Sequence, residues 1–349
     1  MFDADAHVVE PFELFADWVT PGTLPVDLPA TTPMVPCGDA GRVADQLAAR
    51  FDGPSYLRAM DVEGIDACVL YPSQGLFAPF QPGLDAAESA RACRAYNDWV
   101  AGYCSVDPRR LFASAVVPLA DPRIAADEVR RAAGLGLVAV LVRPNHLYSR
   151  NLGDAAYDQL YDAVEETHLV LAVHEGLGLR GPTAGSDRFR SFTERHACSH
   201  PMEQMMAMAS LVVGGALERH PAMRVAYLES GTGWLPYWMS RLDGHVEWMA
   251  AEECAHLSLK PSQYFARQCV ISTDSDDELA AWVTERVGGD HVMWASDFPH
   301  PDALYPHAVA TFVAEMSATG MSDDALDAVL WTTPIDLYRL GDRVMSPAT

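Results

Sequence analysis

The sequence predicts an α/β fold, a single (β/α)8 TIM barrel, and three observations carry that expectation. Short β-rich apolar runs alternate with longer helical patterns along all 349 residues. Acidic, histidine and amide side chains gather where those runs end. Candidate ligands also stand near both ends of the chain, in Asp3-Ala4-Asp5-Ala6-His7-Val8-Val9-Glu10 and in Trp294-Ala295-Ser296-Asp297-Phe298-Pro299-His300. A barrel brings such segments together, because its first and last strands are neighbours.

The strands are read at 2–7, Asp66–Tyr71, Leu111–Pro118, Leu137–Val142, Leu169–His174, Arg224–Glu229, Gln268–Thr273 and His291–Ser296. The helical patterns fall at roughly 85–105, 122–134, 154–167, 201–219, 233–252, 276–288, 302–319 and 322–340. Pro201, Asp154 and Asp302 suit helix starts, since proline lacks only a donor that the first turn leaves free. Strands alternating with helices at this rhythm imply a parallel sheet. Eight such units close into a barrel more readily than they lie open, and one barrel accounts for 1–349 as a single domain. Two stretches break the rhythm: 19–55, rich in Pro and Gly with a helix-like piece near 42–50, and 175–200, Gly-rich and then polar. Long loops in a compact domain are usually functional, so both are read as gates over the barrel mouth. Trp18, Phe77, Phe80, Leu177 and Leu179 give that mouth an apolar substrate surface.

With 48 acidic residues against 24 basic ones, the net charge is −24. Such a surface repels phosphate backbones and anionic membranes, which leaves a small molecule as the expected partner. The seven cysteines are scattered and never form C-x-x-C, which fits reduced thiols in a cytoplasmic protein and excludes a thiolate zinc site. No apolar run is long enough to span a bilayer.

In a barrel, the C-terminal strand ends face a common site. Read off in order, they supply Asp5 and His7, then Tyr71, then Arg143 with Asn145, then His174 and Glu175, Glu229, Thr273 and Asp274, and finally Asp297 with His300 beyond. Asp5 and His7 project from the same side of an extended strand, about 7 Å apart. Imidazole and carboxylate without thiolate suit Zn²⁺, Mn²⁺ or Fe²⁺. Asp5, His7, His174, His200, Glu229 and Asp297 form the candidate ligand set. Arg143, Asn145 and Tyr71 are the candidate substrate contacts; Arg143 either grips a substrate carboxylate or pairs with an internal acid. Gly176-Leu177-Gly178-Leu179-Arg180-Gly181 spells a dinucleotide fingerprint, but Pro182-Thr183-Ala184-Gly185-Ser186 continues as loop instead of opening a helix, so a lid is the better reading.

The first-strand D-x-H, the fifth-strand histidine followed by Glu-Gly, and the final Ala-Ser-Asp-Phe-Pro-His together resemble the amidohydrolase superfamily. Leu228-Glu229-Ser230-Gly231-Thr232-Gly233-Trp234-Leu235-Pro236 resembles the sixth-strand segment of its amidohydrolase-2 branch, which includes aminocarboxymuconate semialdehyde decarboxylase and the resorcylate-type decarboxylases. The resemblance runs from Asp3 to about Leu340. It implies a homodimer and a divalent metal held by Asp5, His7, His174 and Asp297. The chain departs from the pattern twice: Asp5 stands where many members have histidine, and Glu229 stands where the decarboxylases often place a proton-handling histidine. His200 is placed to fill that second gap from the loop or helix entry after strand 5. Glu229 either bridges two ions or works beside one. The expected activity is hydrolysis of an acyl bond (amide, ester or thioester) by metal-activated water. Asp297 would take the water proton, and His200 or His300 would protonate the leaving group. The alternative is non-oxidative decarboxylation of an aromatic or unsaturated acid.

Overall fold

The computed structural model describes residues 1–18, 36–81, 83–176 and 183–344. Its strands are β1 (Phe2–His7), β2 (Ala67–Tyr71), β3 (Leu111–Val116), β4 (Ala139–Val142), β5 (Val170–His174), β6 (Val225–Leu228), β7 (Cys269–Thr273) and β8 (Val292–Trp294). They pair in parallel in chain order, β1 to β8. The helices are α1 (Ala44–Ala48), α2 (Gly53–Glu63), α3 (Ala86–Cys104), α4 (Pro122–Gly134), α5 (Asp158–Thr167), α6 (Phe192–Val213), α7 (Ala216–Arg219), α8 (Leu235–Trp248), α9 (Pro261–Gln268), α10 (Ala280–Val287), α11 (Ala308–Ala318), α12 (Asp323–Asp327) and α13 (Thr333–Leu337). This is the (β/α)8 barrel that the alternation predicts. No helix among the described residues is long and apolar enough to cross a membrane, and all seven cysteines are free.

Strand residues divide between two buried layers. Phe2, Ala4, Val69, Tyr71, Leu141, Ala172, Leu228 and Met293 fill the barrel interior together with Leu337, Tyr338 and Leu340. The alternate positions, among them Leu70, Val140, Val173, Tyr227 and Ile271, pack outward against the helices. The segment after α12 thus plugs the barrel floor: the Tyr338 hydroxyl meets that of Tyr71 at 2.8 Å, and Phe2 stacks on the Tyr338 ring.

β1 does not keep a strict two-residue alternation. Its register against β2 shifts between Asp3, opposite Cys68, and Ala6, opposite Leu70. Three residues of one strand therefore match two of the other, which is a bulge. Phe2 and Ala4 belong to the interior layer, whereas Ala6 belongs to the outer one. The extra residue swaps the faces, so Asp5 and His7 turn inward above Phe2 and Ala4.

Backbone bonds close β8 onto β1: the Asp297 amide donates to the Asp5 carbonyl at 3.1 Å, and the His7 amide donates to the Phe298 carbonyl at 2.7 Å. Buried Asp3 adds a side-chain clasp, its carboxylate accepting from the Ser296 amide at 3.0 Å, from the Ser296 hydroxyl and from the Asp5 amide at 3.3 Å. Asp3→Ala strands these buried donors, at about 1–3 kcal/mol for each group left unpaired. A loss of about 3 kcal/mol in urea unfolding is expected; a loss below about 0.5 kcal/mol would show that the clasp is not needed.

Three parts of the helical layer differ from the sequence reading. α2 was not separated from the preceding excursion, and α9 was not anticipated. The stretch 175–200 is not loop throughout, because α6 begins at Phe192 and carries Pro201 in its interior. Pro201 is therefore not a first-turn residue. The true start is a capping box, Ser191 accepting from the Glu194 amide while the Glu194 carboxylate reaches back. Residues 19–35 of that excursion and the apolar pair Leu177 and Leu179 lie outside the described residues.

A candidate metal centre at the barrel mouth

Four strand ends and one helix deliver side chains to one cluster. From β1, the Asp5 Oδ1 lies 3.7 Å from the His7 Nε2. The His174 Nε2, at the end of β5, lies 3.4 Å from the same Asp5 oxygen and 3.3 Å from the Glu229 Oε2. The His7 Nε2 is 3.3 Å from the Asp297 Oδ1. From α6, the His200 Nε2 reaches the Glu229 Oε1 at 3.2 Å. His7, His174, Asp5 and His200 are all buried.

Local backbone aims these groups. Glu229 and Asp297, just past β6 and β8, take left-handed conformations with φ of 47° and 55°. That region is strained for residues with a side chain, and such strain concentrates at functional sites. Bonds hold both in place: the Glu229 amide donates to the Ser272 hydroxyl at 3.1 Å, and the Asp297 amide to the Asp5 carbonyl. The His7 Nδ1–H donates to the Pro72 carbonyl at 3.0 Å, and the His174 Nδ1–H to the Glu175 carbonyl. Each bond fixes the tautomer that turns an Nε2 lone pair inward.

Burial dominates the electrostatics. It raises the Asp5 carboxyl and holds the Asp297 carboxyl well above its ordinary range, with the Glu229 charge adding to it. Burial drives His7 well below an ordinary imidazole, helped by His300 and His174. It opposes protonation of His200 as well, but the Glu229 charge overrides it and lifts His200 to about 9. Burial would raise Glu229 too, yet His200 and His174 hold it well below the usual range.

The fit to a cation rests on atoms left unsatisfied. Asp5 Oδ1, His7 Nε2, His174 Nε2, His200 Nε2, Glu229 Oε2 and Asp297 Oδ1 are buried and have no hydrogen-bond partner among the described residues. A buried polar group left alone costs about 1–3 kcal/mol. Together these atoms ring the barrel mouth in overlapping groups suited to positive charge. Asp5, His7 and His174 make one group of mutually close donor atoms; His7, Glu229, Asp297 and His300 make another. The tetrahedral edge for N and O ligands at 2.0–2.2 Å is about 3.3–3.6 Å, close to these separations.

The other expected residues fall in different places. His300 is set against Asp297, its Nδ1 2.7 Å from the Asp297 Oδ1. Its ring stacks on His7 with centroids 3.9 Å apart, so it backs the cluster and is absent from the lining of the adjoining cavity. The Tyr71 hydroxyl turns down to Tyr338, leaving only its ring beneath His174, 5.6 Å between centroids. That hydroxyl is therefore not presented to a substrate. Arg143 is wholly buried and pairs with the internal acid Glu175 at 2.9 Å, while its Nε donates to Asn145 at 3.1 Å. Of the two readings of Arg143, the internal pair is the contact observed among the described residues.

A cavity of about 230 Å³ opens beside the cluster, lined by His200, Glu229 and Asp297 with His196, Asp274 and Asp302. His196 escaped the sequence reading. It sits one turn before His200 on α6, ring centroids 4.7 Å apart, and the i, i+4 spacing in His196-Ala197-Cys198-Ser199-His200 carried the signal.

Comparison with known proteins places this geometry. The family described as Amidohydrolase matches residues 2–340. The chain belongs to that family. It is 23% identical over 272 residues to the 2-amino-3-carboxymuconate-6-semialdehyde decarboxylase of Dictyostelium discoideum, covering 77% of this chain and 73% of the relative. It is 25% identical over 292 residues to the gamma-resorcylate decarboxylase of a Polaromonas species, covering 81% and 86%. A solved Asp→Asn mutant of the 5-carboxyvanillate decarboxylase from Novosphingobium aromaticivorans, with bound manganese and 3-methoxy-4-hydroxy-5-nitrobenzoic acid, superposes with a TM-score of 0.72 at 20% identity, covering 97% of each chain.

The chain is thus an enzyme of the amidohydrolase superfamily, and its relatives correct one expectation. Acyl-bond hydrolysis was favoured because strand 6 ends in Glu229 and not in histidine. The relatives are decarboxylases, and the geometry removes the objection: α6 brings the His200 imidazole onto Glu229, so an imidazole still stands at that side of the centre.

Proposed function

We propose that this enzyme is a metal-dependent, non-oxidative decarboxylase of an aromatic or unsaturated carboxylic acid. The observation that carries the reading is the meeting, at one cavity, of the Asp5–His7–His174–Asp297 cluster with the His200–Glu229 pair. We assign the four cluster residues as ligands of one divalent cation (Mn²⁺, Zn²⁺ or Fe²⁺) and Glu229 as the carboxylate that serves His200. The bound ion supplies a positive centre for the substrate's carboxylate and a neighbouring oxygen.

The chain's own groups then follow from their positions. His7 and His174, locked by the Pro72 and Glu175 carbonyls, keep both lone pairs inward without adjustment. The His200 Nε2–H, charged through its contact with Glu229, holds a proton at the cavity wall. The C–C bond to the carboxyl group breaks, CO₂ leaves, and the carbon takes the His200 proton, which solvent restores. Closely spaced carboxylates would repel an anionic acid, so binding depends on the cation. Relatives acting on resorcylate and on a carboxymuconate semialdehyde support both an aromatic and a conjugated open-chain substrate.

The test is CO₂ release from ortho-hydroxybenzoates and conjugated unsaturated acids, with protein that is metal-loaded or stripped by chelator. CO₂ from loaded protein alone, in step with loss of the acid, is expected. Cleavage of activated esters without any CO₂ release would sink the reading.

A further inference from the structure

Away from the barrel mouth, a second group of ligating side chains surrounds a histidine that neither the reaction nor the core explains. Asp158, Asp162 and Glu165 follow one another at i, i+4 and i+7 on α5, so they share one face of that helix. His220 follows α7 and is buried against this face, with only 4% of its surface exposed. Its ring touches Tyr161 edge-on, centroids 5.4 Å apart.

The two ring nitrogens meet different surroundings. Nε2 lies 3.2 Å from Asp158 Oδ1, a carboxylate also engaged by Arg219. An Nε2–H donating there leaves Nδ1 with a lone pair. Nδ1 is buried, has no hydrogen-bond partner among the described residues, and faces Asp162 Oδ1 at 3.5 Å and Glu165 Oε2 at 3.6 Å. Both neighbours are acceptors as well. Glu165 is held in place by its other oxygen, which takes the Ala222 and Met223 amides at 2.7 and 3.1 Å.

We propose that His220 Nδ1, Asp162 and Glu165 form a second divalent-cation site, of zinc type, separate from the catalytic centre. The geometry supports it in three ways. The three donor atoms lie within 4.8 Å of one another. Separations of 3.5 and 3.6 Å match the edges of a tetrahedron about an ion with 2.0–2.2 Å ligand distances, about 3.3–3.6 Å. Asp158 does for His220 what a carboxylate does behind a metal-bound histidine, fixing the tautomer and orienting the ring. Asp162 keeps 65% of its side chain exposed, which gives the ion a way in and leaves room for a water as fourth ligand. The ion ties α5 to the α7–β6 connection, a structural role.

The test compares the full-length wild type with Asp162→Asn, a substitution at an exposed position remote from the cavity. Both are stripped with chelator, refilled with Zn²⁺, desalted and assayed for zinc per chain, with thermal unfolding recorded before and after refilling. Wild type is expected to retain one more zinc per chain than the variant and to gain a larger increase in Tm on refilling, while the stripped proteins melt together. Equal zinc contents, or a difference other than one equivalent, would overturn the site; equal contents would mean that the His220 ring simply packs among these carboxylates.

Discussion

Asp297→Asn is expected to empty the catalytic centre and reduce kcat by about a thousand-fold or more. A cation bound at the reacting group contributes several kcal/mol, and each 1.36 kcal/mol is tenfold in rate. Asparagine is the informative replacement because Asp297 has a φ of 55°, and asparagine is among the few residues that tolerate that conformation. The backbone and the β8–β1 closure therefore stay as they are, and only the anionic oxygen is lost. Elemental analysis and turnover are read on the same preparation. A variant that keeps its ion and more than about a tenth of the activity would remove Asp297 from the ligand set.

His200→Gln is expected to lower kcat by about 10²–10⁴-fold, the usual range for a positioned proton donor, with metal content and KM nearly unchanged. Its partner provides a pH test. His200 acts as the acid, so activity holds below its pKa and falls as pH rises through it. With Glu229 present that value lies at about 9, raised against the effect of burial. Glu229→Gln removes the charge that raises it, and the alkaline limb of the kcat profile moves down by at least about one pH unit towards an ordinary imidazole near 6.5. An alkaline limb that stays in place would mean that another group supplies the proton. Retention of the ion in Glu229→Gln would support one cation; loss of one of two would indicate a bridging carboxylate.

Much of this centre was legible because strand ends are legible. Apolar runs such as Val170–His174 stop at their first polar side chain, and in a parallel barrel those stops share one rim. Asp5, His7, His174, Glu229 and Asp297 all lie on this rim. What stayed hidden lies off the strands or depends on register. The β1 bulge leaves no mark in Phe2-Asp3-Ala4-Asp5, because strict alternation and a bulge both place Asp5 and His7 on one face. His200 was placed at the loop or helix entry after strand 5 because Pro201 reads as a helix start; in the structure that proline sits mid-helix. The capping box Ser191-Phe192-Thr193-Glu194 held the correct start. For α2, Asp52-Gly53-Pro54-Ser55 held a similar signal, with Asp52 accepting from the Ser55 amide. Arg143 offered no signal of its own, since a buried guanidinium and a substrate clamp look alike until Glu175 is placed 2.9 Å away.

The clasp between β1 and β8 also determines when the enzyme comes into being. Asp5 and His7 leave the ribosome almost three hundred residues ahead of Asp297. During synthesis the growing polypeptide has two of its chelating groups but no rim to close against. The Asp3–Ser296 contact, the strand closure and the final ligand arrive together. A nascent chain arrested before Ser296 lacks Asp297 and the backbone bonds that close β8 onto β1, so the complete centre forms only once the ring has shut.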